Sequence, residues 1–167
     1  MGNFIYLCTR YQLNIIIRMR FLGNIEARTD SKGRVFLPAT FRKVLQAQGE
    51  EMLVMRKDIH QKCLVLYPES VWNERVDALR AHISEWDDEG KMVLRQYMKE
   101  AETLTLDGNG RFLIPRRYME MAEIDQTVRF IGMTDTIEIW AAEKAEQPFM
   151  TQEDFAAKLK AIMKNEG

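Results

Sequence analysis

The pattern of apolar and polar positions repeats once along the chain. In the first copy, Phe21–Thr29 reads as a strand, residues 30–33 as a turn and Arg34–Leu37 as a second strand. Pro38 is placed to open a helix, where its missing N–H costs nothing, and that helix runs to Gln48 before Gly49 ends it. Two strands follow, Met52–Arg56 and Cys63–Tyr67. The second copy has a strand at Glu102–Leu106, a turn at 107–110, a strand at Arg111–Ile114, and a shorter helix from Pro115 to Ala122. Its last two strands are Val128–Gly132 and Thr136–Trp140.

Helical spacing takes over between the copies. Pro68-Glu69-Ser70 starts a helix whose apolar residues are Val71, Trp72, Val76, Leu79 and Ile83; Asp87-Asp88-Glu89-Gly90 breaks it, and Met92–Met98 resumes it. After Trp140 come a short helix, a break at Pro148 and a terminal helix. Thr151 is the expected N-cap of that last helix, with Asp154 three residues on and Phe155, Leu159 and Ile162 along one face.

The duplication is sharpest at the turns. Asp30-Ser31-Lys32-Gly33-Arg34 leads into Val35-Phe36-Leu37-Pro38 and then Phe41; Asp107-Gly108-Asn109-Gly110-Arg111 leads into Phe112-Leu113-Ile114-Pro115 and then Tyr118. Leu64-Val65-Leu66-Tyr67 corresponds to Ile137-Glu138-Ile139-Trp140, at a spacing four residues smaller than at the Asp motifs. The first copy is therefore expected to carry a longer loop around Lys57–Lys62. A few short strands and one small helix bury little alone, so the two halves are expected to share one core. The central and terminal helices are then free to pack on neighbouring subunits.

Composition narrows the chemistry. The chain has 167 residues, 46% hydrophobic and 29% charged, which is globular rather than disordered. Its net charge of -1 places any nucleic-acid contact on local clusters. Residues 19–49 hold six bases against two acids, whereas 69–102 hold nine acids against five bases. Cys8 and Cys63 have no metal-type spacing, and His60 and His82 stand apart, which argues against a zinc site and a disulfide scaffold. No nucleophile–base set, phosphate loop or metal set is present, so an enzyme is not expected, nor is a cofactor.

Residues 1–18 are apolar but interrupted by Arg10, Gln12 and Asn14, too short in any run to span a bilayer and without signal-peptide order. Met19-Arg20-Phe21-Leu22-Gly23 reads as the natural start. The expected intact mass of the native protein is that of a chain beginning at Met19; a mass that includes residues 1–18 contradicts this.

From Met19 to Trp140 the sequence resembles the MraZ family. The resemblance rests on Arg20-Phe21-Leu22-Gly23, the first Asp-Ser-Lys-Gly-Arg-Val-Phe-Leu-Pro segment, residues 64–68, the second Asp-Gly-Asn-Gly-Arg-Phe-Leu-Ile-Pro segment, and residues 137–140. One copy of the motif would suggest only the broader group of AbrB-like swapped-hairpin DNA-binding proteins. The resemblance implies an α+β fold: a pseudo-two-fold β-barrel of two interleaved ββαββ halves, with a helical insertion and a C-terminal helix. It implies a bacterial transcriptional regulator that forms ring-shaped homo-oligomers in the cytoplasm, on the nucleoid. The implied partner is double-stranded DNA, namely repeated short boxes upstream of the cell-division and cell-wall gene cluster. No membrane or small-molecule substrate is implied. The expected segments are an extension at 1–18, a first half at 19–68, an acidic connector at 69–100, a second half at 101–141 and a helical segment at 142–167.

Arg34 and Arg111 are the expected DNA readers, because a planar guanidinium matches guanine O6 and N7 in the major groove. The alternative is an internal ion pair with Asp30 or Asp107, and the two roles can coexist. Asp30 and Asp107 are expected to be architectural, accepting backbone N–H groups, while Gly33 and Gly110 supply positive φ or close approach. Lys32 is an expected phosphate contact, Asn109 takes its place without charge in the second copy, and Arg28 precedes the first turn. Arg42-Lys43 and Arg116-Arg117 lie on the small helices, either as contacts or as solvated faces. A competing function is a protein-binding module, antitoxin-like or scaffolding, suggested by the acidic helices and apolar helix faces.

Overall fold

The computed structural model describes residues 20–164; the reading of residues 1–18 and of Met19 as the start lies outside them. The first half contains β1 (Asn24–Arg28), β2 (Arg34–Phe36), α1 (Ala39–Gln48), β3 (Met52–Lys57) and β4 (Leu64–Pro68). Helices α2 (Glu69–Ala81) and α3 (Asp88–Lys99) lead to β5 (Ala101–Thr105), β6 (Arg111–Leu113), α4 (Arg116–Met121), β7 (Thr127–Met133) and β8 (Thr136–Ala141). Helices α5 (Ala142–Ala145) and α6 (Gln152–Lys164) complete the described residues.

Each half lends its first strand to the other. Six strands form an antiparallel sheet in the order β1-β7-β8-β4-β3-β5, and β2 pairs with β6 in a separate ribbon. Exchanging the halves maps this order onto itself reversed. The registers obey the same symmetry: Arg28 faces Thr127 as Thr105 faces Met52, and Asn24 faces Ile131 as Ala101 faces Arg56. The pseudo-two-fold runs through the Val35–Phe112 pair of the ribbon and the Val65–Glu138 pair at the sheet centre. Sheet and ribbon enclose one core containing Val35, Leu37, Phe41, Leu64, Leu66, Phe112, Ile114, Tyr118, Phe130 and Ile139. The fold is thus the pseudo-two-fold α+β barrel that the family resemblance implied.

The paired registers locate the extra residues of the first copy. Asp30 corresponds to Asp107, Met52 to Thr127 and Leu64 to Ile137. Half of the four-residue difference therefore falls between turn and third strand, where α1 is longer than α4, and only half in the β3–β4 hairpin. The shorter second helix was expected; that it takes up half of the offset was not. Pro38 and Pro115 also sit one position earlier than a first helical residue: both are extended, with ψ 137° and 146°, and cap the helices.

A cluster around Arg56 joins the central helices to the barrel. The buried Arg56 donates from Nη2 to Glu100 Oε2 at 3.1 Å, from Nη1 to the Lys57 carbonyl at 2.7 Å and from Nε to the Tyr97 carbonyl at 3.3 Å. Its guanidinium lies 4.3 Å from the Tyr97 ring centroid, and Tyr97 stacks on Trp72 at 5.3 Å. Val71 and Trp72 of α2 are buried, but α3 and α6 bury no residue, leaving Met92, Val93, Phe155, Leu159 and Ile162 exposed. Asp154 N donates to the Thr151 hydroxyl at 3.1 Å, as the capping pattern requires.

The segment before β1 is docked through a close backbone approach. Phe21 bridges Thr134, and Gly132 N donates to the Gly23 carbonyl at 2.9 Å. A Cβ on Gly132 would stand 2.5 Å from the Phe21 carbonyl carbon and oxygen. Gly132→Ala is expected to cost about 1–3 kcal/mol in urea unfolding, because backbone must move to admit the methyl. An unchanged urea midpoint would contradict this docking.

Candidate nucleic-acid interface

Both Asp turns are built alike. Asp30 Oδ1 accepts from the backbone N–H groups of Lys32 and Arg34, each at 2.9 Å, and Oδ2 accepts from Arg34 Nε at 2.7 Å. Asp107 Oδ1 accepts from the N–H groups of Asn109 and Arg111, each at 2.9 Å, and Oδ2 from Arg111 Nε at 2.9 Å. Gly33 N donates to the Asp30 carbonyl and Gly110 N to the Asp107 carbonyl. The aspartate side chain closes the turn with one oxygen and orients the arginine with the other. A charged acceptor serving both is stronger than a neutral one.

The turns also hold each other. Leu37 N donates to the Gly110 carbonyl at 3.0 Å, and Ile114 N donates to the Gly33 carbonyl at 2.9 Å. Gly33 and Gly110 have φ of 83° and 80°. A Cβ on Gly33 would meet the Ile114 carbonyl at 2.8 Å, so conformation and close approach both require glycine there.

Arg34 and Arg111 share one site. In the ribbon, Arg34 faces Leu113 and Phe36 faces Arg111, so the arginines are diagonal neighbours on the outer face. That diagonal is about 7–8 Å between Cα atoms. Arg34, Asp107, Arg111 and Leu113 line a common cleft. Both arginines form the internal ion pair with their aspartates, through Nε alone. Among the described residues their Nη atoms make no hydrogen bond to a side chain or carbonyl, so the outer edge of each guanidinium stays available. The surroundings of the two arginines differ: the Arg111 guanidinium lies 5.7 Å from the Phe36 ring centroid, while Arg34 faces the aliphatic Leu113.

The remaining expected contacts surround this pair. Lys32 and Asn109 are exposed at the turn tips. Arg28, at the end of β1, donates to Gln126 Oε1 of the other half at 2.6 Å. Arg116 and Arg117 on α4 pair with Glu120 and Glu102. Sequence reasoning missed Phe36 and Leu113, which are 54% and 50% exposed between the arginines. The signal was present: three consecutive apolar residues in a strand cannot all face inward, so the middle one must face solvent.

The backbone N–H of Arg34, followed by its guanidinium and the N–H of Lys32, lowers the Asp30 carboxyl from the ordinary 3.8 to about 2. The Arg111 backbone N–H, first among the same kinds of partner, lowers Asp107 as well. A depressed folded-state value means the turns contribute their stability above about pH 4, and lose it as pH falls towards the folded value. Carboxyl-carbon NMR is expected to find Asp30 still ionised at pH 3; a titration midpoint near 4 would contradict the turn geometry.

Two interleaved halves, each with an Asp-Gly turn and a lent strand, define a duplicated swapped-hairpin barrel of the AbrB-like class. The family model for "MraZ protein, putative antitoxin-like" matches twice, over residues 20–96 and 97–165, and the chain belongs to the MraZ family. The second match continues past Trp140 through the terminal helix. The transcriptional regulator MraZ of Phocaeicola vulgatus is 59% identical over 145 residues, covering 87% of this chain and 94% of that protein. The Bacteroides thetaiotaomicron regulator is 55% identical over 148 residues, covering 89% and 95%. That of Shewanella oneidensis is 32% identical over 134 residues, covering 80% and 85%. This is a family of transcriptional regulators rather than enzymes. No helix among the described residues is long and apolar enough to cross a membrane.

Proposed function

We propose that this chain regulates transcription by binding double-stranded DNA sequence-specifically, with the β2–β6 ribbon as its reading head. The observation that carries this is the pair of diagonal arginines, each fixed through Nε by an aspartate and each offering its outer edge. The major groove admits a two-stranded ribbon, and an arginine fork there recognises guanine O6 and N7. Phe36 and Leu113, exposed between the forks, suit contact with thymine methyl groups. Lys32, Asn109 and Arg28 flank the ribbon as phosphate or groove-edge contacts. In this reading Asp30 and Asp107 never touch DNA; they are positioning residues.

The target we infer is the set of tandem boxes in the promoter of the chain's own operon, the cell-division and cell-wall cluster. The setting is the cytoplasm, on the nucleoid. One ribbon is a small contact, and a chain of net charge -1 gains little from its overall field. Several subunits in a ring, reading several boxes at once, raise the effective concentration without new contacts. The exposed apolar residues of α3 and α6 fit such self-assembly, and the acidic α2–α3 segment would face away from DNA. We also infer that residues 19–68 and 101–141 act as the two halves of the head, with 69–100 as connector and 142–167 as the trailing helical segment.

The same apolar and acidic helices favour a second reading, a protein-binding module of antitoxin-like or scaffold type. The two separate in one experiment. Wild type and Arg34→Ala/Arg111→Ala are compared on a fragment carrying the operon's own repeats, over several salt concentrations, with oligomer size measured alongside. The double variant is expected to keep its assembly and lose sequence selectivity, at about 1–3 kcal/mol of discrimination per arginine. Selectivity surviving in the double variant removes the arginines as the readers; no selectivity in an assembled wild type shifts the function to the protein-binding reading.

A further inference from the structure

The two turns are not equal in charge, and the inequality is offset by a residue from the opposite half. Lys32 gives the first turn a cation; its counterpart Asn109 gives the second none. Each turn is backed by the side chain four positions beyond the other half's capping proline: Met119 behind the first turn and Arg42 behind the second. A Cβ built on Gly33 would lie 3.5 Å from Met119 Sδ, an ordinary contact. A Cβ on Gly110 would lie 2.3 Å from Arg42 Nη1 and 2.8 Å from its Cδ and Cζ. The Arg42 guanidinium is therefore laid against the bare Cα of Gly110.

Its electrostatics are unusual for this face. Around the ribbon, Arg34, Arg111, Arg116 and Arg117 each pair with a carboxylate, and Arg28 is held by the neutral Gln126. Among the described residues, Arg42 makes neither an ion pair nor a side-chain hydrogen bond; its Nε is buried without a partner, as is that of Arg129, whose charge Glu26 compensates. An internal ion pair would neutralise such a charge, and a solvated side chain would not bury its Nε. A guanidinium pressed flat beside a turn and left uncompensated matches a site completed by an external anion.

We propose that Arg42 belongs functionally to the second turn: it supplies the phosphate-binding cation that Asn109 does not, so each turn carries one uncompensated cation, Lys32 in the first and Arg42 in the second. This rests on the DNA-reading proposal above. It assigns Arg42 to the DNA backbone and not to a base edge, so its loss should weaken binding to all sequences alike.

The protein itself supplies the control substitution, because methionine already occupies the equivalent place behind Gly33. Arg42→Met is compared with wild type on the operon fragment and on an unrelated duplex, from low to high salt, with oligomer size checked. Arg42→Gln is the second variant should Arg42→Met assemble poorly. The expected result is a salt slope shallower by about 0.9 for each engaged subunit, unchanged preference between the two duplexes, and recovery of the slope in Arg42→Met/Asn109→Lys. A slope identical to that of a selectively binding wild type overturns the assignment while leaving the ribbon reading intact. A changed base preference overturns it also, by making Arg42 a base reader. A wild type that binds neither duplex selectively removes the ribbon reading, and this assignment with it.

Discussion

The reciprocal pair of backbone hydrogen bonds, Leu37 to the Gly110 carbonyl and Ile114 to the Gly33 carbonyl, is the constraint on which the rest of this molecule depends. Each turn is closed by its own aspartate but seated by the other half's strand. That seating requires glycine at both positions, pairs β2 with β6, and brings Arg34 and Arg111 onto one outer face. The lent strands β1 and β5 complete the exchange at the two ends of the sheet. Each half therefore supplies a backbone donor that seats the other half's turn.

The pseudo-symmetry holds in the backbone and lapses in the side chains. Registers are related pair by pair, and the two aspartate networks agree to within 0.2 Å. Arg111 has Phe36 beside it where Arg34 has Leu113; Asn109 replaces Lys32; Met119 replaces Arg42. A duplicated scaffold tolerates this, since the interlock is made by main-chain groups and glycines, leaving turn tips and helix faces free to diverge. The ribbon face is thus two-fold in shape and asymmetric in chemistry.

Much of this was legible in the sequence. The Asp-x-x-Gly-Arg pair fixed both turns, most strands and helices fell close to their expected bounds, and a shared core followed from how little each half could bury; the exception is Asp87–Gly90, read as a break, where Asp87 is instead the N-cap that opens α3 and accepts from Gly90 N. The exchange of strands came from the family resemblance alone and could not be read from the local pattern. Local pattern specifies that Asn24–Arg28 is extended, not that its partner is β7 rather than β2; register and partner are set by the whole buried face. For the same reason two arginines in separate motifs gave no sign that they meet on one ribbon. The ion pair with aspartate, weighed as an alternative to DNA reading, is present in both copies and uses Nε only. The buried Arg56, which ties Tyr97 and Glu100 to the barrel, had no local signature at all.

The central claim is that the ribbon reads guanines from the major groove. Dimethyl sulfate probing of the operon's tandem boxes tests it most directly, since the reagent methylates guanine N7 in the major groove and adenine N3 in the minor groove. With the assembled protein bound, the account predicts one cluster of guanine N7 protection per box, recurring at the box spacing. Protection confined to adenine N3, or none in any box under conditions of tight binding, would contradict it.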